Sequence, residues 1–65
     1  MSDPYTVEVT FTVPGSDAGI QQRCRIVPGY TTEDDIPRII AIARTGRTED
    51  AVFIRVRSVR RVADY

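Results

Sequence analysis

Cys24 and the acidic residues are the side chains of this sequence that could take part in covalent or metal chemistry. The chain has one cysteine and no histidine. A nucleophile of the triad type needs a base beside it, and imidazole is the usual base. Cys24 also falls on the apolar side of an alternating β pattern, where a free thiol packs as a small hydrophobe. We therefore predict that Cys24 is a core residue and that the protein has no catalytic residues.

Two acidic clusters are the remaining candidates for metal binding or acid–base chemistry. They are residues 33–35, Glu-Asp-Asp, and residues 49–50, Glu-Asp. Acidic side chains at the start of a helix ordinarily stabilise the positive end of its dipole. Neither cluster is accompanied by a pattern that would build a cleft around it. We predict no metal site, no cofactor and no enzymatic activity.

Arginine is the residue type that favours a binding function. All nine basic residues are arginines, and nine acidic residues bring the net charge to zero. A neutral total argues against a protein held to nucleic acid or to an anionic membrane by bulk charge, but it permits local clusters. The candidate residues for contact with nucleic acid or another partner are Arg23, Arg25, Phe53, Arg55, Arg57, Arg60 and Arg61.

Two strands are the first elements that would position these residues. Residues 5–13 and 20–27 both alternate apolar and polar positions, which is typical of half-buried strands. Turn-forming residues 14–19 lie between them and predict a hairpin. The simplest pairing places Val13 opposite Ile20 and buries the apolar side of both strands.

A helix follows the hairpin. Threonines and acidic residues at 31–35 are typical of a helix start, and we place the N-cap between Thr32 and Asp35 because Pro37 fits only within a first turn. Gly46 predicts the C-terminal end. The predicted apolar stripe of the helix comprises Ile36, Ile39, Ile40 and Ala43.

Residues 51–59 form a third β-prone run. A right-handed crossover through the helix would place this strand parallel to the second, on the far side of the first. The predicted fold is therefore α+β: one domain of residues 1–65 with the order β-β-α-β, a three-stranded sheet ordered 2-1-3, and one helix packed on one face. The other face of the sheet would stay open.

Arginines would gather on that open face. Arg23 and Arg25 of the second strand and Arg55 and Arg57 of the third share the polar parity, around Glu8, which the predicted register places opposite Arg25. Arg60 and Arg61 extend the basic run. A face of arginines and threonines, with Phe53 beside it, could bind phosphate backbones or stack bases. The alternative, which the sequence alone favours, is a solvated face with Arg–Glu pairs.

Phe53 and Val59 share the outward parity of the third strand. Exposed together, they would form an apolar patch for a partner. Two alternatives stay open, since a C-terminal tail folding back or a β-bulge near Ser58 that switches parity would hide this patch.

The run VPGYTTEDDIPRIIAIA at 27–43, with Gly46 and a Val/Ile strand ending near Ser58-Val59, resembles small uncharacterised proteins of actinobacteria and their phages. The resemblance covers residues 27–59 and carries over no functional residue. It implies a small phage-encoded or accessory cytoplasmic protein that acts on the host or on phage processes by binding.

These patterns together favour a non-enzymatic interaction protein that self-associates. A chain of 65 residues buries a thin core, and without a disulfide or a metal, homo-oligomerisation is the remaining route to stability. The alternative is a nucleic-acid-binding protein. The N-terminal residues lack signal-peptide features and no 18-residue apolar run occurs, so we expect a cytoplasmic protein with no membrane contact.

Overall fold

The computed structural model describes residues 3–62. Strand β1 lies between the other two strands, in the order β2-β1-β3, and pairs with both in antiparallel fashion. The predicted α+β fold and strand order are confirmed. The elements are β1 (Tyr5–Thr12), β2 (Ile20–Ile26), a 3-10 helix (Glu33–Asp35), α1 (Ile36–Thr45), a second 3-10 helix (Thr48–Phe53) and β3 (Arg55–Val62).

The β1–β2 hairpin differs from the prediction in its register. Ile20 pairs with Phe11, and the predicted pairing with Val13 was wrong. The reason is that Val13 already belongs to the turn, where its carbonyl accepts a hydrogen bond from the Ser16 N–H at 3.2 Å. Gly15 has φ 86° in this turn, a left-handed conformation that glycine adopts without strain. A shift of two residues leaves every side chain on its predicted face.

One side of the sheet and the helix form the core. Three inward side chains of β1, two of β2 and two of α1 are each at most 3% exposed: Val7, Val9, Phe11, Cys24, Ile26, Ile36 and Ile40. The prediction that Cys24 is a core residue is confirmed. Ala43, predicted on the buried stripe, is exposed, and Ala41 is buried in its place. Ala41 lines a cleft with Phe53 and Ile54, because the second 3-10 helix packs against that side of α1.

Helix α1 begins and ends where the sequence predicts. The backbone N–H of Thr32 donates to Oδ2 of Asp35 at 3.0 Å, and Pro37 lies in the first turn. Gly46 follows the last turn with φ 76°, and its N–H donates to the Ile42 carbonyl at 3.0 Å. These contacts satisfy backbone groups that a helix leaves unpaired at its ends.

Strand β3 begins later than predicted and contains a β-bulge. Residues 51–53 belong to the 3-10 helix, and the strand runs from Arg55 to Val62. Val56 pairs with Phe11 and Ser58 pairs with Thr10, which leaves Arg57 as the extra residue. The bulge switches parity, so that residues after it face opposite to the prediction. The structure contains the alternative β-bulge near Ser58, but Phe53 and Val59 remain exposed, so the bulge does not hide the patch as expected.

Candidate nucleic-acid interface

The side of the sheet turned away from α1 is the candidate interface, and we call it the open face. Threonines and Glu8 of β1 run along its middle, and polar or basic residues of β2 and β3 flank them. Its members are Thr6, Glu8, Thr10, Thr12, Gln21, Arg23, Arg25, Arg55, Ser58, Arg60 and Val62. None of these residues is aromatic, so the described part of the open face offers guanidinium planes but no aromatic ring on which a base could stack.

Glu8 lies at the centre of the open face. It pairs with Arg60, whose Nη2 donates to Glu8 Oε1 at 2.8 Å. Arg23 stands opposite Glu8 on the other neighbouring strand, yet its side chain forms no ion pair with any residue of the described chain. Among residues 3–62, Glu8 is the one acidic side chain of the open face, and its charge is matched by Arg60.

Two crevices lie on this side of the molecule. The first has a volume of about 260 Å³ and is lined by Glu8, Thr10, Gln21, Ser58 and Arg60. The second, of about 420 Å³, lies between the hairpin loop and the start of β3. Its polar lining residues are Thr12, Ser16, Asp17, Arg55 and Arg57.

Arg55 and Arg57 are the basic residues of the larger crevice. Neither guanidinium has an ion-pair or hydrogen-bond partner within residues 3–62. Asp17 lines the same crevice but lies outside ion-pairing distance of both. A guanidinium presents a planar fork of N–H donors that matches the oxygens of a phosphate group. These two arginines are therefore available to an anion from outside the chain.

Charge is segregated between the sheet and the rest of the molecule. Strand β2 carries two arginines and β3 carries four, and neither strand has an acidic residue. The acidic residues that remain besides Glu8 lie outside the strands, in the loops and 3-10 helices of the described chain. Away from the sheet, the arginines are ion-paired or stacked: Arg38 with Asp35 at 3.7 Å, Arg47 with Glu49 at 3.0 Å, and Arg44 over the ring of Phe11.

Phe53 and Arg61 were predicted with the other candidates, but neither lies on the open face. Phe53 belongs to the second 3-10 helix and lies on the α1 side of the sheet, so its predicted place beside the arginines was wrong. Arg61 follows the bulge, pairs with Val7 and stacks over the ring of Tyr5 at 4.2 Å, also on the α1 side. The other five candidates lie on the open face or beside it.

Ser58 and Gln21 belong to the open face although the sequence did not single them out. Gln21 shares the parity of Arg23 and Arg25, so alternation along β2 could have identified it. Ser58 could not have been found in this way, because its orientation depends on the bulge at Arg57.

Cys24 is buried, and the two acidic clusters lie in the two 3-10 helices. Burial raises the pKa of the Cys24 thiol, which disfavours the reactive thiolate. Within residues 3–62, no three side chains of His, Cys, Asp or Glu come together as metal ligands would. In the same part of the chain, no helix has the length and apolar character needed to cross a bilayer.

Comparison of the chain with protein-family models, with curated proteins and with solved structures finds no match.

Proposed function

We propose that this protein is a non-enzymatic binding protein that holds the phosphate backbone of a nucleic acid on the open face of its sheet. The observation that carries the proposal is the set of arginines with neither an ion pair nor an aromatic contact in the described chain. Arg23, Arg55 and Arg57 all lie on the open face or in the crevice that continues it. The ion-paired arginines Arg38 and Arg47 lie elsewhere.

The alternative of a solvated face with Arg–Glu pairs has less support. Such pairing needs acidic partners, and within residues 3–62 Glu8 is the only acid on the open face. Since Glu8 pairs with Arg60, the charges of Arg23, Arg55 and Arg57 have no acidic partner within residues 3–62. Concentrated positive charge of this kind attracts polyanions and releases the counterions that surround them.

The shape of the open face suits an extended polyanion. Strands in a sheet lie about 4.8 Å apart, so the arginines of β2 and β3 flank the threonine row of β1 at a mutual distance of about 10 Å. Eight residues of β3 extend over roughly 26 Å. Arginines and hydroxyl groups would contact phosphates and sugars, and these contacts carry no sequence information directly. We therefore expect binding with little sequence preference.

The resemblance of residues 27–59 to proteins of actinobacteria and their phages is the basis for proposing a cellular role and location. We propose an accessory role in the cytoplasm, where a phage-encoded protein would meet host and phage nucleic acid.

The test is a titration of a fluorescently labelled single-stranded oligonucleotide, followed by anisotropy at several salt concentrations. The double variant Arg23→Ala with Arg55→Ala should bind more weakly, because two guanidinium groups that bind phosphates are removed. The slope of log affinity against log salt concentration should become shallower by about 0.7 for each phosphate that is no longer neutralised. Glu8→Gln should bind more tightly, because it releases Arg60 and removes a negative charge from the face.

Arg38→Ala with Arg47→Ala is the matched control. It removes the same charge from the helical side of the molecule and should leave the salt slope unchanged. Equal weakening in both double variants, or no binding by the wild-type protein at low salt, would contradict the proposal.

A further inference from the structure

A second exposed surface lies on the opposite side of the sheet from the open face. It comprises Phe53, Val56 and Val59, which we call the apolar strip. Phe53 is 53% exposed, Val56 36% and Val59 37%. Val56 and Val59 pair with Phe11 and Val9, whose side chains point toward α1. The strip therefore lies on the α1 side of β3, where the helix leaves the sheet uncovered.

The core explains why the strip is uncovered. Buried residues come from β1, β2 and α1, and no residue of β3 is buried. Apolar groups that are ordered in a strand but left in water forgo the roughly 25 cal/mol per Å² that burial provides. Contact with another surface would recover this free energy.

The edge of β3 is not suited to pairing with another strand of this protein. Both edge strands, β2 and β3, carry arginines and no acids. Edge-to-edge pairing of two copies would thus place like charges side by side, which is a common protection of sheet edges. Contact through the face of β3 avoids this repulsion.

Charges at the two ends of the strip favour a second copy as the occupant. Asp50 shares a cleft of about 450 Å³ with Phe53 at one end, and its carboxylate has no ion-pair partner in the described chain. Arg61 lies at the other end, two residues beyond Val59 and on the same side of the sheet. A twofold axis through the middle of the strip would bring Asp50 of each copy to Arg61 of the other.

We propose that two copies of this chain associate through their apolar strips about such a twofold axis. The interface is isologous, because each copy contributes the same patch. A standard interface buries about 800 Å² on each partner, which is roughly one sixth of the 4782 Å² surface of this chain. The open faces stay on the outside of the dimer and accessible. The dimer does not depend on nucleic-acid binding.

Charge reversal tests the pairing of Asp50 with Arg61. Sedimentation velocity should show the wild-type protein as a dimer at micromolar concentration. Asp50→Arg alone and Arg61→Asp alone should each dissociate about tenfold more readily, because each homodimer then has two like-charge contacts. Mixing the two variants should restore dimers, since the mixed dimer has opposite charges at both ends.

Restored association on mixing also shows that both variants are folded, and circular dichroism of each variant checks this independently. Arg38→Asp makes the same charge change as Arg61→Asp on the exposed side of α1, away from the strip, and should leave dimerisation unchanged. Val59→Thr keeps the β-branched shape but replaces a methyl group of the strip with a hydroxyl, and it should weaken the dimer. A monomeric wild-type protein at about 100 μM, or a mixture no more associated than its components, would overturn the proposal.

Discussion

The folded protein favours the neutral forms of two ionisable side chains, Cys24 and Tyr5, by raising the pKa of each. Burial raises the pKa of the Cys24 thiol. Partial removal from water raises the pKa of the Tyr5 hydroxyl, and the nearby Glu33 carboxylate raises it further, while Arg61 opposes the shift. The Tyr5 hydroxyl donates a hydrogen bond to Glu33 Oε2 at 3.3 Å, which also needs the proton. Both groups therefore hold their protons more tightly in the folded state than in the unfolded state.

This difference makes the free energy of unfolding depend on alkaline pH. When a folded-state pKa is raised, its contribution to stability is complete below the unfolded pKa and is lost as pH rises through the folded one. We expect constant stability from about pH 6 to 8 and a decline above that range. Urea denaturation at a series of pH values measures this dependence of the free energy of unfolding on pH.

Two variants assign the alkaline decline to these residues. Cys24→Ala should lower stability at neutral pH by leaving a small cavity, and it should make the decline above about pH 8 shallower. Tyr5→Phe should have a similar effect on the slope, with the exposed Tyr30→Phe as its control. An alkaline slope identical to that of the wild-type protein in both Cys24→Ala and Tyr5→Phe would contradict the assignment.

At the scale of the elements, the β-bulge of β3 decides which residues reach each side of the sheet. It brings Val59 opposite Val9 on the α1 side and Arg60 opposite Glu8 on the open face. An uninterrupted strand in the register of Arg55 with Thr12 would reverse these orientations. Arg60 would then lie over the core, and Val59 would join the open face.

Deletion of Arg57 tests whether the stability of the fold depends on the β-bulge. Because Val56 and Ser58 already pair with adjacent residues of β1, removing Arg57 leaves both halves of β3 in register. We expect the deletion variant to unfold cooperatively, with a free energy of unfolding within about 1 kcal/mol of that of Arg57→Ala. Arg57→Ala separates the effect of removing the charge from the effect of removing the bulge. A deletion variant without a cooperative transition would show that the twist of the bulge is required.

At the scale of the whole molecule, a net charge of zero conceals a strongly asymmetric distribution. Six arginines lie on β2 and β3, two on the first and four on the second, and Glu8 is the one acid on the strands. Repulsion among these arginines opposes folding, whereas the exposed ion pairs elsewhere contribute little. The arrangement that suits a polyanion therefore lowers the stability of the free protein.

Added salt should consequently stabilise the free protein. Sodium chloride shortens the screening length from about 30 Å at 0.01 M to about 10 Å at 0.1 M, which weakens repulsion across the sheet. We expect the thermal midpoint to rise by roughly 2–4 °C over this range, equivalent to about 0.5 kcal/mol in so small a domain. Arg23→Gln with Arg57→Gln should flatten this dependence. A midpoint that falls with salt would show that ion pairs outweigh the repulsion.

The sequence by itself determined the features that depend on neighbouring residues. Period-two alternation assigned the faces of β1 and β2, and it placed Cys24 in the core. Threonine and acidic residues before Pro37, with Gly46 after the last turn, located both ends of α1. These predictions were confirmed because side-chain parity and helix capping are set within a few residues along the chain.

Only the tertiary structure decided the register of the hairpin and the bulge of β3. A shift of two residues preserves parity, so alternation cannot distinguish Phe11 from Val13 as the partner of Ile20. The orientation of Val59 and Arg61 depends on their packing against β1, through pairings some fifty residues apart in the chain. Local propensity does not contain that information, and for this reason Phe53 and Arg61 could not be placed from the sequence.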